Sequence, residues 1–213
     1  MVFMRELPRL RVVARHEYVV DKCKQKSVLH LGAVDYYNGE VCGLHKGLMQ
    51  VSRSLIGLDI DNDGIEKARS AGIQNIVYAD LERLDEVNIA SKFDIIVAGE
   101  IIEHLSNPGL FLAGVKRFFG YHTEMLVTTP NAFSVHRFLI ALRGREYVHP
   151  GHVCYYSYTT LDHLLTSHGF VVEEKLAYVL EGKLLNLRRL LSRVNFNFGS
   201  GLIFTVRFGG VES

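Results

Sequence analysis

Seven short runs constrain this chain more than anything else in it: residues 27–31, 55–59, 76–78, 93–98, 125–128, 170–174 and 202–207. Several, such as "DIIVA" and "MLVTT", are apolar without a break. A strand with one face in water alternates apolar and polar residues, so unbroken runs are expected where both faces are covered. Helical punctuation fills the gaps. In "LSNPGLFLAGVKRFF", Asn107 is placed to cap and Pro108 to open a helix, with Leu110, Phe111, Gly114, Val115 and Phe118 on one face. In "DNDGIEKARSAG", Asp61 or Asp63 caps and Gly72 stops. In "TTLDHLLTSHGF", a stripe of Leu161, Leu164, Leu165 and His168 ends on Gly169, and both His163 and His168 are expected to pack. Strand and helix in alternation predict an α/β, Rossmann-like, doubly wound sheet. It would have seven mostly parallel strands, helices on both faces and an antiparallel last strand.

The 213 residues suffice for one domain with a full core, expected over 1–213, with 1–26 as an N-terminal helical segment. Two stretches break the rhythm, 131–158 and 181–200, and insertions on such a core tend to shape a substrate site. The second holds "KLLNLRRLLSR", a basic amphipathic stretch expected to pack as a helix on the core or line the acceptor pocket, whose apolar face and Arg188, Arg189 and Arg193 also suit contact with a partner helix or peripheral contact with an anionic membrane. A net charge of +1 supplies no long-range field for a polyanion, so no nucleic-acid partner is expected. No stretch reaches the ~18 apolar residues of a membrane span. Three scattered cysteines, Cys23, Cys42 and Cys154, suit free thiols in a reducing compartment, and a cytoplasmic location is expected.

Ligands of open parallel sheets bind beyond the carboxyl ends of the strands. Four successive strand ends here carry Gly32, Asp59, Asp80 and then Glu100, Glu103 and His104. A carboxylate at the second end suits the two hydroxyls of a ribose, and one at the third suits an exocyclic amine.

With those blocks in view, the sequence resembles the class I S-adenosylmethionine-dependent methyltransferases. The resemblance rests on "VLHLGAVDYYNG", "IGLDID", "IVYADLERL", "FDIIVAGEIIEHLSNPG", "LVTTPN" and "TTLDHLLTSHGFVV", in that order across roughly residues 27 to 175. The fourth and fifth are similar to methyltransferases of ubiquinone, sugar and natural-product biosynthesis. The resemblance implies S-adenosyl-L-methionine as cofactor and residues 27–129 as the cofactor-binding core. Gly32 and Ala33 would lie under the methionine part, with Val34 and Asp35 beside them. Asp59 with Ile60 would hold the ribose, Asp80 with Leu81 the adenine, and Glu100 would line the pocket. The first block departs from the family pattern. His30 stands where an acid is usual and Val34 where a second glycine is usual, which leaves Asp35 as the nearby negative charge for an ammonium.

Methyl transfer from a sulfonium asks the protein mainly for alignment. A hydroxyl acceptor, whether small molecule, sugar or lipid-linked, also needs a base, and histidine is the side chain closest to neutral pKa. Position selects His104, His149 and His152 as candidates, while His45 is expected to approach from the cofactor side. His149, His152 and Cys154 fall short of zinc-site spacing, so no metal is expected. Two other readings start from the same residues. A nicotinamide-dependent oxidoreductase would need a phosphate-cradling loop, for which "GAVDYY" is poor. A non-catalytic partner module would follow from loss of the first loop's ligand.

Overall fold

The computed structural model describes residues 10–37, 40–179 and 199–210. Strands β1 (Arg11–Val13), β2 (Ser27–Leu31), β5 (Ser54–Asp59), β6 (Ile76–Tyr78), β7 (Phe93–Gly99), β8 (Phe119–Pro130), β9 (Phe170–Tyr178) and β10 (Gly201–Phe208) form one sheet in the order β1-β9-β10-β8-β7-β2-β5-β6. Two-residue strands β3 (Tyr36–Tyr37) and β4 (Glu40–Val41) make a separate hairpin in the first loop. Within the large sheet, among the described residues, β10 alone runs antiparallel to its neighbours, as expected of the last strand. The sheet has eight strands rather than seven. The additional one, β1, pairs in parallel with β9, from Arg11 against Leu176 to Val13 against Tyr178. The N-terminal segment is therefore strand followed by helix α1 (Arg15–Lys22) and not helix alone. The basic stretch at 181–198 lies outside the described residues.

Strand β2 explains why its sequence does not alternate. Leu29 and Leu31 point into the larger core, shared with Phe111, Phe118 and Leu161, whereas Val28 points into a second core with Val19, Leu48 and Leu126. The same split runs along β7, with Ile96 and Ala98 on one face and Ile95 and Val97 on the other. Full burial of each such side chain contributes roughly 1.5–3 kcal/mol. Helices α1 and α2 (Gly43–Val51) supply the second core; α4 (Pro108–Val115) and α6 (Tyr158–Ser167) supply the first.

The helix signals resolve individually. Asp61, not Asp63, caps α3 (Asn62–Ser70) by accepting from the Gly64 amide at 3.0 Å. Asn107 accepts from the Leu110 amide at 3.3 Å to start α4. Phe111, Val115 and Phe118 are buried as expected, but Leu110 is 51% exposed, one position off the packed stripe. On α6, His168 is half-buried while His163 faces solvent, contrary to expectation. Among the described residues, no helix is long and apolar enough to cross a membrane. Cys23 and Cys42 are buried free thiols, and Cys154 is partly exposed.

Strand β2 is flanked by β5 on one side and β7 on the other, and the chain builds outward from it in both directions. The carboxyl ends of β2 and β7 therefore border the point where strand order reverses, the crevice where open α/β sheets take ligands.

Candidate active site

At the end of β2 the chain turns through Gly32, whose φ is +69°. A side chain there would meet Cγ2 of Ile101 at 2.3 Å, so the turn needs glycine on both conformational and steric grounds. Ala33 is buried behind it. Val34 donates its amide to Asp59 Oδ2 at 2.8 Å, and Asp61 donates to Asp59 Oδ1 at 2.9 Å. Asp59 thus clamps the first loop to the second, and each oxygen keeps a further lone pair. Burial raises its pKa, while those amides act to lower it. Ile60 beside it is 57% exposed.

Asp35 has a different job from the one expected. Its two oxygens accept from the Gly43 amide at 2.7 Å and the Leu44 amide at 3.2 Å, which closes the amino end of α2. Nor does an acid replace the one absent at position 30. His30 is buried and stacks on buried His45, with ring centroids 5.4 Å apart. His45 Nε2 lies 3.2 Å from Asn75 Oδ1, and the Asn75 amide donates to the Leu55 carbonyl at 3.0 Å. His45 therefore belongs to the core under the loop and not to the cofactor side. Gly57 makes the room, because a side chain there would lie 2.8 Å from the His45 ring.

Asp80 accepts from the Glu82 amide at 2.9 Å and opens the 3-10 turn Leu81–Glu86, with Leu81 buried behind it. Glu100 follows β7 with φ +56°, a left-handed conformation a non-glycine residue rarely adopts. It is held by its neighbours: Tyr178 donates to Oε1 at 2.6 Å, Thr128 donates at 3.3 Å, and Arg15 lies 3.6 Å away. Arg15 and Tyr178 were not singled out by the sequence. Tyr178 lies four residues past the apolar run read as a strand, and Arg15 is one arginine among many.

The histidines chosen from two separate stretches of the chain come together. His104 and His152 have ring centroids 4.6 Å apart, and His149 lies 5.3 Å from His104. The loop carrying His149 and His152 is tied down by Val153, which donates its amide to the Glu103 carbonyl at 2.8 Å. Glu103, one of the acids at the fourth strand end, sits fully buried in a turn beneath the rings. Thr129 donates to its Oε2 at 2.9 Å, and His152 Nε2 is 4.0 Å from its Oε1. Burial, reinforced by Glu100, pushes the Glu103 carboxyl up to about 8. Burial, with His104 and His149 nearby, pulls His152 down to about 4. Beside the rings, Tyr155, Phe133, Phe138, Tyr147, Arg137 and Arg145 line a cavity of about 600 Å³, within the range of small-molecule sites.

Residues 24–175 match a family model described as a methyltransferase domain. A ubiquinone biosynthesis O-methyltransferase of Azorhizobium caulinodans is 29% identical over 113 residues, covering 50% of this chain and 44% of the relative. A protein of Mycolicibacterium smegmatis described as "Probable S-adenosylmethionine-dependent methyltransferase" is 27% identical over 168 residues, 76% of this chain and 60% of the relative. The chain thus spans less than two thirds of either relative. Among solved structures, a SAM-dependent methyltransferase from Archaeoglobus fulgidus superposes with a TM-score of 0.59 at 17% identity, covering 90% of this chain and 93% of that one.

Proposed function

This chain belongs to the methyltransferase-domain family, and from that premise we propose that it transfers the methyl group of S-adenosylmethionine to a hydroxyl of a small-molecule, sugar or lipid-linked acceptor. One observation carries the reading: the ends of β2, β5, β6 and β7 gather Gly32, Asp59, Asp80 and Glu100 along one rim at the strand-order switch.

Those residues fit the cofactor. Gly32 makes the sharp turn that ends β2, with Ile101 packed where a side chain would stand, and the small Ala33 follows it in the loop that would face the ligand. Asp59 offers spare lone pairs for ribose hydroxyls, with Ile60 exposed beside it to cover an adenosine. Asp80 with Leu81 suits the adenine edge. Glu100, partly exposed and at the switch point, suits the cationic end, a duty that Asp35 is poorly placed to share. When bound, S-adenosylmethionine supplies a methyl carbon already activated by a positively charged sulfur. The chain's own contribution is alignment, worth up to ~7–11 kcal/mol of barrier where two reactants are held in line. Removal of the acceptor's proton would fall to the cluster of His104, His149 and His152, where His152 lies 5.7 Å ring to ring from Tyr155, a wall of the aromatic cavity that would hold the acceptor body. That one relative is an O-methyltransferase supports oxygen as the methylated atom.

Thermal unfolding with S-adenosylmethionine, S-adenosylhomocysteine and NAD tests the proposal. Ligand at 100 times its dissociation constant adds ~2.7 kcal/mol, roughly 5–10 °C for a domain of this size. A rise is expected with both sulfur ligands and none with NAD. Asp59→Asn keeps an acceptor for the Val34 amide but removes the charge, and should abolish most of the rise. A rise with NAD alone, or with none of the three, would overturn the reading.

A further inference from the structure

The imidazoles invite a closer look, because their arrangement exceeds what a lone proton acceptor needs. One ring nitrogen each from His104, His149 and His152 lies within 4.8 Å of the others. Two of the rings are pinned by the same residue. The Gly151 carbonyl accepts from His104 Nδ1 at 2.9 Å, and the Gly151 amide donates to His149 Nδ1 at 3.1 Å. A side chain at 151 would sit 3.1 Å from one ring and 3.3 Å from the other, so glycine permits both contacts. Beneath them two buried polar atoms have no partner: Nδ1 of His152 and Oε1 of Glu103. Buried polar atoms are nearly always satisfied, so an orphaned ring nitrogen on one of three clustered imidazoles points to a missing ion or ligand.

Resting on the reading of this rim as the acceptor site, we propose that His104, His149 and His152 bind a borderline transition-metal dication of the zinc or cobalt class. Three imidazoles with an open fourth position form the donor set of catalytic zinc sites, whereas magnesium and calcium seek oxygen. The hydrogen bond from His104 Nδ1 fixes its tautomer and leaves Nε2 free to ligate, the usual outer-shell arrangement. Glu103 stands against His152 as the carboxylate that orients a ligating ring. His149 gives up the Gly151 amide on ligating. With metal–nitrogen bonds of ~2.0–2.1 Å, the nitrogens must approach to roughly 3.3 Å, so the loop carrying His149 and His152 draws in by about 1 Å. An acceptor hydroxyl bound at the open position would lose its proton more readily and directly to solvent, because the three imidazoles are then ligands and none is left to act as the base.

The test uses the untagged full chain, stripped with chelator and titrated with Co(II) and then Zn(II). Calorimetry reads stoichiometry, and visible absorption reads Co(II) geometry. One ion per chain with a tetrahedral-type Co(II) spectrum is expected, with no comparable uptake of Mg(II). His149→Ala and His152→Ala should each weaken Co(II) binding at least 100-fold, Glu103→Gln 10–100-fold, and His163→Ala on exposed α6 not at all. Absence of saturable Co(II) binding overturns the proposal, as does binding that survives His104→Ala combined with His149→Ala. Preference for Mg(II) overturns the imidazole assignment. The S-adenosylmethionine-dependent thermal rise is read in the same samples. Its persistence without metal uptake sinks the metal site alone, and its absence sinks the underlying reading.

Discussion

Nδ1 of His30 lies 3.1 Å from Nδ1 of His45, inside the core and under the first loop. Two ring nitrogens at that distance share one proton. With His45 Nε2–H donating to Asn75 Oδ1, His45 Nδ1 is the acceptor and His30 Nδ1–H the donor, so both rings are neutral. Burial, reinforced by His45 and Arg15, pulls the His30 pKa down to about 3, and burial also lowers that of His45.

The pair makes the fold acid-sensitive. In the unfolded chain these rings titrate near 6.5, so between that pH and the depressed folded value the unfolded state binds more protons. Their contribution is therefore fully present above pH ~6.5 and is lost as pH falls toward 3. For His30 the loss should be about 1.4 kcal/mol per pH unit in that window, and His45 acts in the same direction. Urea denaturation at pH 7.5, 6.5, 5.5 and 4.5 checks this, with a shallower slope expected for His30→Gln. An unchanged slope would mean the rings are protonated in the core.

Gly32→Ala should destabilise through two separable effects. The left-handed backbone costs a side chain ~1–2 kcal/mol, and the clash with Ile101 adds overpacking of ~1–3 kcal/mol. Adding Ile101→Ala should relieve the second effect only. Full recovery in the double variant, read from denaturation midpoints, would show that backbone strain plays no part.

Tyr178→Phe removes the O–H that reaches Glu100, a bond to a charged acceptor, and should cost ~1.5–3 kcal/mol. Gly201→Ala reaches the same ring from the opposite strand, because its new side chain would lie 2.1 Å from Tyr178 Cζ. The two substitutions should be strongly non-additive in chemical denaturation, since they share one partner. Simple additivity would place their effects in separate neighbourhoods.

Helix α6 starts with a capping box in which Ser157 accepts from the Thr160 amide at 3.2 Å and Thr160 accepts from the Ser157 amide at 2.8 Å. Ser157→Ala should cost ~1 kcal/mol, and Ser157→Asp should recover most of it. Thermal melts of the two variants side by side decide the matter; equal loss would mean the box contributes nothing.

Of the seven strands read from the sequence, the clearest were those covered on both faces, where burial writes an unbroken apolar run, as Ile95–Ala98 shows. Strand β1 was not legible. Three residues beginning with exposed Arg11 are too few to show a periodicity, although Arg11 pairs with Glu174 and Val12 and Val13 pack on the cores. Strand β8 begins at Phe119, earlier than its apolar part, because Phe119 pairs with Phe93 ahead of a bulge and buried Thr123 donates its hydroxyl to the Phe93 carbonyl. The acids at the strand ends were visible by position, but their partners were not: what Asp35 and Asp59 do depends on amides brought close by folding. His45 was misread for the same reason, since its burial depends on the missing side chain of Gly57, twelve residues away. The three grouped histidines were each picked out by place in the chain. Their meeting depends on Val153 docking against the Glu103 carbonyl, a contact no local pattern encodes.

The unequal setting of the three thiols has a practical use. Cys23 is buried, its pKa pushed up to about 12, and Cys42 is buried as well, so neither offers much thiolate to an alkylating dye. Cys154 is the accessible one, two residues from His152, and a fluorophore attached there would watch the mouth of the site fill and empty without any engineered cysteine.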